Sequence, residues 1–342
     1  MSKILLTGAT GYIGRFLATY LCKQEHDVWA AVHDQTRRIL LPQGVKLTTL
    51  DAAYKENFDA IIHLAYGAER EWSRTLRSNI LMAQHVMELA SLSGSKVIFA
   101  SSIAVLGYCP KNLSRAQLEL RNICREDAYT YVKGRLEKFM LTRAQKHAIP
   151  IYIIRIGNVM GPGSRWTCLL FDRLQDKVCL IDPQAFSNAT YIFNLVSFIA
   201  DDLLPANTYP SIVLSTEFSK VTWGEWIKGI FGEEVIVNGL SNFVVDGTVY
   251  KQILHKLGEV AKKNFYIRKI IELLPSSYYE ILKSKTGGPQ YRSLINYTVK
   301  DEVQHKVFSC KNAWPSGGST RYSLEEACER IRAWAEKAGY LL

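Results

Sequence analysis

The sequence predicts an α/β protein: a doubly wound parallel sheet with a smaller, mostly C-terminal lobe. Three observations carry this. An apolar run, Ile4-Leu5-Leu6, leads straight into glycines at 8, 11 and 14. Short apolar segments then alternate with amphipathic ones through the first half of the chain. Beyond Gly161-Pro162-Gly163 the alternation fades, and from about residue 223 the chain is rich in Lys, Tyr and Ile.

Strands are expected at residues 4–6, 28–32, 46–50, 60–64, 96–100 and 151–156. Each is a short apolar run, as a parallel strand covered on both faces requires. Helical spacing of apolar residues predicts helices over 12–22, 73–93 and 129–147, with a shorter one over 169–177. Residues 191–204 read as an element returning to the sheet, and 211–215 as a last strand. Residues 1–165 and 190–222 are therefore read as a dinucleotide-binding domain, and 166–189 and 223–342 as a substrate-binding lobe. Within that lobe, residues 249–285 carry apolar residues at helical spacing, with Lys262, Lys263, Arg268 and Lys269 among them. A solvated basic face accounts for them; a helix lying on an anionic membrane surface is the sharper alternative.

The 342 residues suffice for one large or two closely joined domains, and 48% hydrophobic content supports a sizeable core. No run of about twenty apolar residues occurs, so no transmembrane helix is expected. A start that already reads as a core strand points to a cytoplasmic protein. The seven cysteines include no Cys-x-x-Cys pair and are expected to be free thiols, with no metal site. A net charge of +10 fits a solvated basic surface, attraction to anionic substrates such as nucleotide diphosphates, or contact with anionic membrane. No nucleic-acid-binding module is recognised.

The glycines carry the first chemistry. Gly8 allows a sharp turn, Gly11 allows backbone to approach a pyrophosphate, and Gly14 lets the next helix lie tight on the sheet. The helix N-terminus then offers unpaired N–H groups and partial positive charge to the phosphates. Two Tyr-x-x-x-Lys matches supply candidates for proton transfer, Tyr129 with Lys133 and Tyr279 with Lys283. Residues four apart share a helix face. A lysine there favours the tyrosinate, and bringing a phenol down by about three pH units takes roughly 4 kcal/mol. At the end of the fifth strand the chain reads Ala100-Ser101-Ser102-Ile103-Ala104-Val105-Leu106-Gly107.

The spacing Gly-x-x-Gly-x-x-Gly resembles that of the extended short-chain dehydrogenase/reductase superfamily, whose fold is Rossmann-type. Residues 101–107 resemble the Ser-Ser-x-x-Val-Tyr-Gly segment of its nucleotide-sugar epimerases and reductases, with Leu106 at the tyrosine. The resemblance covers residues 1 to about 230 and resumes faintly near 323–334. It implies Tyr129 as general acid/base, Lys133 as its partner and ribose anchor, and Ser102 as the hydroxyl on the reacting oxygen; Tyr279 is the chance match. It implies NAD(P) contacts at Gly8, Thr10, Gly11, Tyr12, Ile13 and Gly14, and at Asp51, Ala52, Leu64, Ala65, Tyr66 and Asn79, the last with a structural or water-binding alternative. His63 reads as structural. Asn158, in Arg155-Ile-Gly-Asn-Val-Met-Gly, matches a substrate-contacting asparagine or else caps its loop. After the second strand, Asp34 would select NAD, whereas His33 with Arg37 or Arg38 would hold the 2′-phosphate of NADP, and the basic residues favour NADP.

The implied activity is hydride transfer at a hydroxyl or keto carbon of a nucleotide-linked sugar, by epimerisation or net reduction. The alternatives are an NADPH-dependent reductase of another small ketone and a cofactor-binding regulatory or scaffold protein. Two departures matter. Ile103-Ala104 stand where a 4,6-dehydratase carries Asp-Glu, so that reaction is not expected. Residues 188–194 lack the arginine and aspartate with which epimerases grip a nucleotide diphosphate. A homodimer through the Tyr129 helix is expected.

Overall fold

The computed structural model describes residues 1–32, 35–69, 71–109, 127–175, 181–207, 211–232 and 299–340. Seven parallel strands form the main sheet: β1 (Lys3–Thr7), β2 (Asp27–Ala31), β3 (Lys46–Thr48), β4 (Ala60–His63), β5 (Lys96–Ser102), β6 (Ile151–Ile156) and β9 (Ser211–Ser215). Their order is β3-β2-β1-β4-β5-β6-β9. Two further strands, β7 (Asn158–Met160) and β8 (Ala189–Tyr191), pair parallel beside it.

Alternation along each strand sorts the core into two layers. Ile4, Leu6, Val28, Ala30, Ile62, Ile98 and Ile154 belong to one buried cluster, which α1 (Tyr12–Lys23), α6 (Ile192–Ser197), α7 (Trp223–Phe231) and α9 (Leu324–Ala338) cover. Leu5, Ile61, Val97, Phe99, Ile151 and Ile153 face the other layer, under α3 (Trp72–Ser93) and α4 (Ala128–His147). That is why the strands read as unbroken apolar runs: both faces are covered. Each fully buried Leu or Ile contributes roughly 1.5–3 kcal/mol.

The expected strands and helices over residues 1–222 are present, with shifted ends. β3 stops at Thr48 because Thr49 caps α2 (Leu50–Ala53), its side chain accepting from the Ala52 N–H. The short helix expected over 169–177 is α5 (Arg165–Gln175), which begins four residues earlier. The element over 191–204 is helical and relaxes into a π turn at Phe198–Leu203. The C-terminal α9, with its Ser323–Glu326 capping box, buries Ala327, Cys328, Ile331 and Ala335. α8 (Val299–Phe308) precedes it.

One expectation is overturned. Cys109 and Cys310 are disulfide-bonded across a sequence separation of 201, while Cys22, Cys168 and Cys328 are free. Folding brings the loop after β5 onto the segment after α8, a proximity that cysteine spacing does not report. Cys124, Cys179, the basic stretch 249–285 and the Tyr279–Lys283 pair lie outside the described residues. Among the described residues, no helix is long and apolar enough to cross a membrane.

Candidate active site

All main-sheet strands run parallel, so their carboxyl ends share one edge. The strand order reverses between β1 and β4, where open α/β sheets bind ligands. At this point Gly8 adopts φ +72°, and a Cβ there would lie 2.6 Å from the Ala65 nitrogen. A Cβ on Gly14 would lie 2.2 Å from the Gly8 carbonyl oxygen. Gly11 differs: its Cβ would meet only the Gly8 oxygen, at 3.2 Å, so its outer side is open. Gly11 is the N-cap of α1 and brings no side chain to the first-turn N–H groups. Bare N–H groups at the positive end of a 12-residue helix, floored by glycine, fit a dinucleotide diphosphate.

Neighbouring residues stiffen this cradle. The Tyr12 hydroxyl donates to the Pro162 carbonyl at 3.1 Å, and burial raises its pKa. Thr10 and Ile13 flank the turn, both half-buried. The Leu64 N–H donates to the Thr7 carbonyl, and the Ala65 N–H to Thr7 Oγ1 at 3.3 Å. Thr7 Oγ1 also bonds His63 Nδ1 at 2.7 Å. Burial, with the charge of Lys133, drives His63 down to about 3, so its imidazole stays neutral and holds β4 to β1. Asp51 and Ala52 are exposed on α2. Asn79 has the bonds of the structural alternative expected for it. It is buried, its Nδ2 donates to the Gly67 and Thr75 carbonyls at 2.7 Å, and its Oδ1 accepts from the Gly67 N–H. Its amide is consumed in pinning the loop after β4.

Ser102, Tyr129 and Lys133 come together although they arrive on two elements. Ser102 ends β5 and caps the 3-10 turn Ile103–Leu106, its Oγ accepting from the Ala104 N–H at 3.2 Å. Its hydroxyl acts to lower the pKa of the Tyr129 phenol. Tyr129 lies in the first turn of α4, which Asp127 and Thr130 close with a reciprocal capping box. Lys133 is buried one turn on, and its Nζ donates to the Ala100 carbonyl at 2.7 Å. The ammonium lies 5.1 Å from the Tyr66 ring centroid and 6.0 Å from that of Tyr129. Tyr66 stands edge-on to Tyr129, with centroids 5.2 Å apart, and burial pushes its own phenol up to about 12.

The electrostatics depart from the simple picture of lysine pulling tyrosine down. Burial raises the Tyr129 phenol, against the Ser102 hydroxyl and the Arg165 charge, which lower it. Burial also lowers Lys133 to about 8, against the Glu137 carboxylate, which raises it. With its ammonium given to the Ala100 carbonyl, Lys133 does not offset the burial of Tyr129.

Asn158 donates Nδ2 to the Ser187 carbonyl at 2.7 Å and so clamps its own loop. Where the expected arginine is missing, the chain builds internal ties. Asn188 donates to the Asn312 carbonyl and accepts from the Trp314 N–H. The buried Asn194 holds the backbone of Arg321 and Tyr322. Sequence reasoning missed Glu137, Arg155, Tyr108 and Arg165. Only Asp127, three residues before Thr130 at a helix start, carried a readable signal there. His33, Asp34 and the side chain of Arg37 lie outside the described residues, while Arg38 reaches the Val45 carbonyl at 3.4 Å.

The model of the NAD dependent epimerase/dehydratase family matches residues 4–175. An uncharacterised UDP-glucose epimerase of Bacillus subtilis, YtcB, is 29% identical over 228 residues, covering 58% of this chain and 71% of the relative. The structure of Thermotoga maritima UDP-glucose 4-epimerase with UDP-glucose superposes with a TM-score of 0.57 at 18% identity, over 67% of this chain and 82% of that one. Bacillus cereus UDP-glucuronic acid 4-epimerase in complex with NAD gives 0.53 at 22% identity, over 62% and 77%. At these identities the solved structures speak for the fold.

Proposed function

We propose that this chain, which belongs to the NAD dependent epimerase/dehydratase family, is an NAD(P)-dependent epimerase or ketoreductase of a nucleotide-linked sugar. The observation that carries the reading is the meeting of Ser102, at the end of β5, with Tyr129 and Lys133 on α4, at the sheet edge that also holds the open Gly11 cradle. When bound, the dinucleotide supplies the hydride acceptor and donor.

The chain's own residues manage the proton. Tyr129 exchanges it with the sugar oxygen, and Ser102 donates a hydrogen bond to that oxygen as charge develops. Lys133, buried and cationic, anchors the ribose hydroxyls. Arg165 adds positive potential at the same phenol. The segment after Ser102 argues against 4,6-dehydration: Ile103 and Ala104 are buried and apolar, with no acid or base for removing water. The basic residues His33, Arg37 and Arg38 support NADP over NAD, a preference that NAD binding at least tenfold tighter than NADP would reverse. Exposed Leu81 and Leu92, on one face of α3, which packs on α4, support a homodimer through that face, to be checked by light scattering.

Mass spectrometry of small molecules carried by the purified protein tests the reading. Retained NAD with a nucleotide-sugar supports epimerisation, and loosely held NADP supports net reduction. Tyr129→Phe is expected to lower kcat by about 10²- to 10⁴-fold with the fold intact; unchanged turnover removes Tyr129 from the mechanism. A second reading, reduction of another small ketone, is favoured by one observation: Asn188 and Asn194 spend their amides on the chain itself. Turnover of simple ketones without any nucleotide-sugar binding would select it.

A further inference from the structure

One layer beneath the candidate catalytic groups lies a buried ion pair. Glu137 and Arg155 are both fully shielded from solvent. Arg155 Nη2 donates to Glu137 Oε2 at 2.8 Å and Nε to Oε1 at 3.1 Å, in a two-pronged grip. The Ser101 hydroxyl donates to the same Oε1 at 2.5 Å. Three elements meet at this carboxylate. α4 sends Glu137, one helical turn beyond Lys133; β5 sends Ser101, directly before Ser102; β6 sends Arg155, the register partner of Ser101.

This pair is a demanding way to fill a core. Removing two charges from water costs several kcal/mol each, and only close, hydrogen-bonded geometry offsets it. The pair therefore tolerates one placement of α4 along β5 and β6. α4 carries Tyr129 and Lys133 and β5 carries Ser102, so that placement also sets the distances among the three. An apolar contact would hold the helix without fixing its register.

We infer that Glu137 and Arg155 are positioning residues, a buried pin that sets Tyr129 and Lys133 against Ser102. The inference rests on the proposed roles of those three residues. The same carboxylate opposes the burial that lowers Lys133 and so favours its ammonium form.

The test uses the double variant Glu137→Leu/Arg155→Met in the full-length protein. Exchanging both charges for apolar side chains is often neutral or stabilising, so the variant is expected to fold. Two readouts go beyond folding. One is the split between kcat and KM for the nucleotide-sugar. The other is the pH dependence of Lys133 acylation, followed by mass spectrometry, which needs no turnover. We expect kcat to fall by about 10- to 100-fold with KM nearly unchanged, the loss seen when groups supporting a site are removed. The midpoint of Lys133 acylation should move to lower pH. A folded double variant with wild-type kcat and an unmoved acylation midpoint overturns the inference. Should the double variant not fold, Glu137→Asp decides: it keeps the charge but shortens the reach, and wild-type kcat would overturn the pin. Tyr129→Phe with unchanged turnover would instead remove the catalytic reading, leaving the acylation midpoint to judge Glu137.

Discussion

Tyr108 donates its hydroxyl to Asp127 Oδ2 at 2.7 Å, tying the loop after Ser102 to the residue that caps the helix of Tyr129 and Lys133. Asp127 uses its other oxygen for the Thr130 N–H, at 2.8 Å. One carboxylate thus fixes both the start of α4 and its distance from the serine loop. Tyr108→Phe should cost about 0.5–1.5 kcal/mol in urea unfolding. It should also lower kcat more than it changes KM. Asp127→Ala should cost more, about 1–2 kcal/mol beyond the Tyr108 bond, because the cap is lost as well.

The glycines separate folding from binding. Gly14→Ala would drive a Cβ to 2.2 Å from the Gly8 oxygen and 2.7 Å from the Ala9 Cα, both backbone atoms that cannot step aside. Unfolding at markedly lower urea is expected. Gly11→Ala meets only one atom, at 3.2 Å, and should fold close to wild type. Its methyl would instead intrude where the diphosphate approaches. Calorimetric titration with NAD and NADP should therefore show weakened binding in a folded Gly11→Ala protein.

Glu217 gives the protein a pH-dependent stability. Burial pushes this carboxyl from about 4.5 up to about 7, even though it accepts from the Tyr191 N–H and from Thr190 Oγ1, each at 2.7 Å. Between those values the unfolded chain has lost the proton while the folded protein keeps it. The contribution is full below about 4.5 and is lost as pH rises through about 7. Its size is on the order of 3 kcal/mol. Urea midpoints from pH 5 to 8 should fall less steeply with rising pH in Glu217→Gln. His63 acts oppositely: held neutral down to about 3, it loses stability as pH falls below about 6.5.

The Cys109–Cys310 bond closes a loop of 201 residues in sequence. Peptide mapping without reductant should recover these two cysteines in one linked fragment. Chain-entropy reasoning puts the effect of such a loop on the unfolded state at up to roughly 5 kcal/mol. Adding a dithiol reductant, or Cys310→Ser, should lower Tm. A Tm insensitive to reductant, with both thiols alkylated, would remove the link.

Much of the fold was legible because its causes are local. Ile4-Leu5-Leu6 must be a two-faced strand, and the glycines after it must turn, whatever lies elsewhere in the chain. The 20-residue α4 was likewise readable from its periodicity, and its Tyr129 and Lys133 from their spacing on one face. The missing parts were those whose meaning depends on a distant partner. Thr49 ended β3 by capping a turn that propensity did not announce. Asn79 matched a cofactor-contact position, and only the fold showed that both its N–H donors go to the Gly67 and Thr75 carbonyls.

The sequence by itself determined the parallel α/β sheet, the glycine cradle and two Tyr-x-x-x-Lys pairs, because apolar patterning, backbone sterics and helical spacing act over a few residues; the resemblance to a family pointed to Ser102 and chose Tyr129 with Lys133. Tertiary structure alone decided that Glu137 meets Arg155, that Cys109 meets Cys310, and that Asn188 and Asn194 hold the C-terminal segment. Each of those pairings joins groups 18 to 201 positions apart. Bringing them together is set by the register of packed helices and strands, and that register is a property of the whole core.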